Sequence, residues 1–188
     1  MRKHAAIEAG HSAFTQSSYF TDKVAMREQV CSKLSAVDVL DLFAGSHDIW
    51  DAVGCDRYYG IDNYLKGGNL PIDNRKALQY LDLSQFNIID ADAYGMPYEQ
   101  IQMLYENGTM KSGTVVFFTC ITGPMNRLSR RLIDDFGIDS EYKRTRTLFN
   151  RYGYRYFHQM LKSHGINEVV SIIHDGSMRK EYGYFIVK

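Results

Sequence analysis

Residues 37–48 constrain the fold more than any other stretch. Val37, Val39, Leu40, Leu42 and Phe43 form a dense apolar run, mostly of residues that favour strands. The run stops at a turn at Gly45, after which Ile49, Trp50, Ala52 and Val53 suit a helix. A buried strand, a glycine-containing turn and a helix together open a doubly wound α/β sheet. Ligands of such sheets sit beyond the carboxyl ends of the strands. A second strand ending in an acid follows, Tyr58-Tyr59-Gly60-Ile61-Asp62. An acid there can grip the two hydroxyls of a ribose.

Asp41-Leu42-Phe43-Ala44-Gly45 resembles the first motif of class I S-adenosylmethionine-dependent methyltransferases, whose usual form is Asp-x-Phe-x-Gly-x-Gly. Asp62 falls where that family has its ribose-binding acid. The resemblance implies an α/β fold: a three-layer α-β-α Rossmann-like sheet, mostly parallel with an antiparallel C-terminal strand. It implies S-adenosyl-L-methionine as cofactor, held by Asp41, Phe43, Gly45, Ser46, Asp62, Asn63, Asp73 and Asp90. Ser46-His47 stands where a second glycine is usual, so a less open turn is expected, with the cofactor's tail held differently. Dinucleotide binding fits worse, because Gly-x-Gly-x-x-Gly is absent and no turn is left to cradle a pyrophosphate.

A chain of 188 residues with 45% hydrophobic and 23% charged residues is expected to form one domain with a real core. No apolar run approaches the ~20 residues of a membrane span. No secretory apolar region follows Met1-Arg2-Lys3-His4-Ala5. Cys31, Cys55 and Cys120 are odd in number and unclustered, which favours reduced thiols in a cytoplasmic setting and no metal site. Zero formal net charge argues against a uniformly basic nucleic-acid binder but not against a local basic surface.

Along the chain, Thr21-Asp22 can cap a helix over residues 23–34, with Val24, Val30 and Leu34 as a partial apolar face. Tyr19-Phe20-Thr21 resembles the Tyr-Phe-Thr-Pro entry of some amino-methylating DNA methyltransferases, with Asp22 in place of the proline. A hydrophobic staple before the cap is the reading the residues favour. Lys66-Gly67-Gly68-Asn69 is a loop by composition. Residues 73–83 suit a short helix, 86–90 a strand, and 99–106 a helix ended by Asn107-Gly108. Residues 114–119 form a β-rich apolar run, expected to be buried on both faces. Residues 122–150 read as a substrate-facing insertion, 151–163 as a helix, and 168–174 with 181–187 as a terminal hairpin. The domain organisation is then a single domain over 1–188, with a helical extension at 1–36.

Asp90-Ala91-Asp92-Ala93-Tyr94-Gly95-Met96-Pro97-Tyr98 follows a strand, so it should project at the same sheet edge as Asp41 and Asp62. Asp92-Ala93-Tyr94-Gly95 resembles the Asp-Pro-Phe/Tyr-Gly of guanosine-N2 tRNA methyltransferases, with Ala93 in place of the first proline. That resemblance implies catalytic roles for Asp92, Tyr94 and Tyr98. A carboxylate can hydrogen-bond an exocyclic amine and stabilise the positive charge that grows on its nitrogen. A neighbouring aromatic can stack on the base. A structural reading stands beside it: Asp90 and Asp92 end a strand and cap a turn while Tyr94 packs. Asp73 and Asn74 lie in the region of the cofactor's adenine, where Asp73 serves equally as a helix cap.

Arg144, Arg146, Arg151 and Arg155 alternate with Phe149, Tyr152, Tyr154, Tyr156 and Phe157, which suits a surface for phosphates and unstacked bases. A solvated helix face with aromatics turned inward is the alternative. The sequence therefore points to a methyltransferase acting on a base nitrogen of RNA or DNA. A small-molecule acceptor, or a catalytically silent Rossmann-like domain binding a nucleotide or partner, are the alternatives.

Overall fold

The computed structural model describes residues 19–62, 70–124 and 126–188. The elements run α1 (Phe20–Cys31), β1 (Asp38–Asp41), α2 (Asp48–Val53), β2 (Arg57–Asp62), β3 (Leu70–Pro71) and α3 (Asn74–Leu78). After a 3-10 turn at Leu83–Gln85 come β4 (Ile88–Ala91), α4 (Tyr98–Asn107), β5 (Val115–Thr122), α5 (Arg130–Asp135) and α6 (Asp139–Ser163). The hairpin strands β6 (Val170–His174) and β7 (Arg179–Ile186) close the chain. The loop expected at residues 66–69, Asn63 and most of the expected N-terminal extension lie outside the described residues.

The described strands form one sheet in the order β3-β2-β1-β4-β5-β7-β6. β1 pairs in parallel with both β2 and β4, and β4 with β5, while β7 runs antiparallel to β5 and β6. The sheet matches the expected fold class. The order reverses between β1 and β4, so the crevice beyond Asp41 and Ala91 is the switch point where ligands of open α/β sheets bind.

Side-chain alternation sorts the two faces. Val39, Ile88, Val115 and Phe117 meet Met26 and Val30 of α1 and Trp50 of α2 on one face. Leu40, Ile89, Val116 and Phe118 meet Leu78, Ile101, Leu132 and Phe157 from α3, α4, α5 and α6 on the other. β1, β4 and β5 are thus covered on both sides, which is why they read as apolar runs rather than alternating ones. Gly183 is required where β7 lies against its neighbours. A Cβ there would stand 2.8 Å from Ser171 Cβ and 2.9 Å from Phe118 Cζ.

α1 begins at Phe20 rather than after a Thr21-Asp22 cap. Tyr19 is anchored by the hairpin, its ring centroid 4.0 Å from that of His174 and 5.3 Å from Tyr182, and Asp22 falls in the first turn, where its charge suits the helix dipole. Tyr19 packs across to another element rather than stapling its own helix. Its buried stripe is Lys23, Met26, Arg27 and Val30, so two cations occupy the face expected to be apolar. Residues 122–150 are largely helical, holding α5 and the first half of α6. At Thr145 the backbone leaves helical geometry (φ −129°, ψ 33°), and its hydroxyl donates to Glu141 O at 2.8 Å. Such bonding to the preceding turn bends helices.

Candidate active site

The turn after β1 is held by the acids on either side of it. Asp41 accepts the Phe43 N–H through Oδ1 and the Tyr58 hydroxyl through Oδ2, both at 2.9 Å. Phe43, at the start of the turn, is half-buried. Gly45 is left-handed (φ 51°), and its N–H donates to Asp62 Oδ2 at 3.0 Å. The strand-end acid of β2 therefore reaches the glycine turn of β1. Ser46 donates to Asp48 at 2.7 Å. His47 is also left-handed (φ 66°, ψ −1°), the single described non-glycine residue with positive φ. The backbone thus keeps the conformation a second glycine would adopt, at a cost of about 1–2 kcal/mol for a side-chain-bearing residue. The imidazole centroid lies 5.0 Å from that of Tyr58.

Asp41, Asp90 and Asp92 share the face that α1 covers. Asp41 and Asp90 are register partners on β1 and β4. Arg27 donates to Asp90 through Nε and Nη2 at 2.9 and 3.0 Å, and Trp50 Nε1 adds a third bond at 2.8 Å. Lys23 Nζ lies 2.7 Å from each oxygen of Asp92, and Thr119 donates to Asp92 Oδ1. Burial alone would raise the Asp92 carboxyl, yet the Lys23 ammonium and then Arg27 hold it below the usual carboxylate range. Among the described residues no cation is in contact with Asp41. Burial, then the charge of Asp90, pushes it up to about 8.

Lys23, Arg27, Trp50 and Thr119 were not among the residues singled out by sequence. The available signal was two cations on the apolar stripe of α1. Asp90, expected among the cofactor-binding residues, is 1% exposed and engaged by Arg27 and Trp50, so it braces the sheet edge from within. Tyr94 is 68% exposed at the mouth of the edge. Tyr98 is a correction: it is 1% exposed, and its hydroxyl donates to Asp135 at 2.9 Å. Burial pushes its phenol up to about 12, and its ring is a core side chain unavailable to a base. Asp73 caps α3 through the Arg75 N–H at 2.9 Å and pairs with the Arg75 guanidinium at 3.0 Å. The cap reading is the one the structure bears out. Its neighbour Asn74 instead supports the glycine turn, donating to Leu42 O at 3.0 Å and accepting from Gln100 at 3.2 Å.

The first half of α6 is tied to the same sheet edge. Asn150 donates to Asn126 O, and Asn126 donates to Ile121 O, near the end of β5, at 2.8 Å. Arg144, Arg146, Arg151 and Arg155 are all exposed on this helix. Arg155 lies over the Tyr152 ring at 4.6 Å. Leu148, Phe149, Tyr152, Arg155, Tyr156 and Gln159 line an open groove of about 540 Å³. Two other cations of this region are committed elsewhere, Arg130 to Asp134 and Asp139, and Lys143 to Asp139. Among the described residues no cluster of His, Cys, Asp or Glu could hold a metal, and no helix is long and apolar enough to cross a membrane.

No family model and no curated protein matches the sequence. Solved structures do match the fold. A SAM dependent methyltransferase from Archaeoglobus fulgidus superposes with a TM-score of 0.53 at 13% identity, over 90% of this chain and 94% of that one. A methylase from Haemophilus influenzae gives 0.52 at 10% identity, over 88% of each chain. TYW2 of P. horikoshii in complex with MeSAdo gives 0.50 at 14% identity, over 89% of this chain and 62% of that one. At such identities the likeness speaks for the architecture, and in architecture the chain has the Rossmann-like fold of S-adenosylmethionine-dependent methyltransferases.

Proposed function

We propose that the protein transfers a methyl group from S-adenosylmethionine to a base nitrogen of RNA or DNA. The observation that carries the reading is the contact between the Asp62 carboxylate and the Gly45 N–H at the sheet's switch point. It sets a strand-end acid beside a left-handed turn, a donor set that fits a ribose and the tail attached to it. Asp41, through the Phe43 N–H, and Asn74, through Leu42 O, brace the same turn. The MeSAdo complex of TYW2, a protein of the same fold, supports this choice of ligand.

S-adenosylmethionine, when bound, supplies an electrophilic methyl group on sulfur. The protein's part is to orient the acceptor and stabilise charge. Asp92 accepts an N–H of the acceptor amine, turning the nitrogen lone pair outward and stabilising the positive charge that develops there. Tyr94 offers its exposed ring to the base. Arg144, Arg146, Arg151 and Arg155 present cations to the phosphates along α6. Asp92→Ala is expected to retain cofactor binding and lose turnover, and unchanged turnover would remove Asp92 from the mechanism.

A small-molecule acceptor is favoured by one observation. The Asp92 side chain is 13% exposed, which suits a slim acceptor. Retained turnover after neutralising Arg144, Arg146 and Arg151 would select this second reading.

A further inference from the structure

We infer that Lys23 is a positioning residue for the acceptor acid: from α1 it fixes the Asp92 carboxylate so that one lone-pair site, on Oδ2, faces the acceptor. The inference rests on the methyl-transfer reading and goes past it, because Lys23 lies on a helix outside the motif loops of β1, β2 and β4.

The hydrogen bonds that Asp92 already accepts assign the atom. An ionised carboxylate has about four lone-pair sites, two on each oxygen. Oδ1 accepts from both Lys23 and Thr119 and is full. Oδ2 accepts from Lys23. Arg27 Nη2 stands 3.5 Å from Oδ2, too long for a good hydrogen bond, and this guanidinium is spent on Asp90 and on Lys23 O. One site on Oδ2 is left, and it suits a single N–H.

Lys23 is itself held. It is 3% exposed, and its ammonium lies 4.7 Å from the centroid of the Tyr182 ring. With Nζ equidistant from both oxygens, rotation of the carboxylate would lengthen one contact or the other. The groups around Asp92 are Lys23 and Arg27 from α1, Asp90 from β4, Asp41 from β1, Thr119 from β5 and Tyr182 from β7. Without Lys23, the remaining nearby cation among the described residues is Arg27, already bound to Asp90. Attachment of α1 does not depend on Lys23 alone, since Met26, Val30 and the Arg27–Asp90 pair also dock that helix.

The test compares wild type, Lys23→Met and Lys23→Arg. Three quantities are read: the Asp92 carboxyl titration by ¹³C NMR, assigned through Asp92→Asn; S-adenosylmethionine affinity by calorimetry; and methyl transfer to a mixed pool of single-stranded RNA and DNA oligonucleotides. Lys23→Met is expected to raise the Asp92 midpoint by about 1–3 pH units, with cofactor affinity unchanged. Its kcat should fall on the order of 100-fold, with KM little affected. Lys23→Arg should restore most of both. If Lys23→Met does not fold, Lys23→Gln carries the test: it removes the same charge but keeps a polar side chain, and should lower kcat while sparing cofactor binding. An unmoved Asp92 titration, or full kcat, in the folded charge-removing variant overturns the role of Lys23 even where cofactor binds. Wild-type protein that binds no S-adenosylmethionine instead overturns the methyl-transfer reading, and the positioning role of Lys23 falls with it.

Discussion

Arg27 grips Asp90 with two N–H groups at 2.9 and 3.0 Å, joining α1 to the centre of the sheet across 63 residues of sequence. Both side chains are almost fully buried. Removing one partner of such a pair leaves an uncompensated charge and costs about 3–5 kcal/mol, whereas replacing both by apolar residues is closer to neutral. Arg27→Met should therefore destabilise the fold by that amount in chemical denaturation. Arg27→Met combined with Asp90→Leu should recover much of the loss. A double variant no better than the single one would mean that the pair contributes specific structure beyond charge neutralisation.

His47 keeps a left-handed backbone that glycine adopts without penalty. His47→Gly should match wild-type stability or exceed it by about 1 kcal/mol, because strain relief outweighs the lost contact with Tyr58. His47→Val should destabilise, since a β-branched residue is an outlier at positive φ. Denaturant midpoints of the two variants decide this. A glycine variant clearly weaker than wild type would show that the imidazole, and not the backbone, governs the turn.

Asp41 gives stability a pH slope. Its folded value of about 8 lies above that of an unfolded carboxyl, so the folded protein keeps a proton that the unfolded chain releases. The associated stability is complete below about pH 4 and is lost as pH rises toward 8, by an amount on the order of a few kcal/mol. Asp92 acts in the opposite sense: its lowered value contributes stability above the unfolded carboxyl range that is lost as pH falls through its folded value. Asp41→Asn should flatten the decline between pH 5 and 8. An unchanged slope in denaturation at the two ends would place the proton elsewhere.

The exposed arginines of α6 predict salt-dependent binding of single strands. For single-stranded nucleic acid the logarithmic salt slope is about 0.7 per phosphate contact. Neutralising Arg144, Arg146 and Arg151 together should reduce that slope by about 2, as read by fluorescence anisotropy with a labelled oligonucleotide. An equal slope in the variant would return the stretch to a solvated helix face.

The parallel half of the sheet is legible in the sequence because β1, β4 and β5 are buried on both faces and need no alternation to be seen. β3 is not, since two residues, Leu70–Pro71, carry no periodicity. The first half of α6 reads as an insertion because its exposed charges and the break at Thr145 interrupt the helical pattern. Asp41, Asp62 and Asp92 are visible because each ends or directly follows a strand. Their partners are not. Lys23 and Thr119 meet Asp92 across 69 and 27 residues, distances that only the sheet closes. Tyr98 misleads for a related reason: it follows a loop in sequence, yet as the first residue of α4 it turns into the core.

The most direct test is a calorimetric titration of wild-type protein and Asp62→Ala with S-adenosylmethionine and S-adenosylhomocysteine, with ATP and NAD as controls. Wild type should bind the first two selectively, at micromolar strength or better. Asp62→Ala should weaken that binding on the order of 10- to 100-fold, as expected for losing hydrogen bonds to a charged group. Absence of binding to wild type would contradict the account and favour a silent domain whose turn His47 has closed. Tight binding that ignores Asp62→Ala would contradict the contact between Asp62 and Gly45 as the basis of the cofactor site.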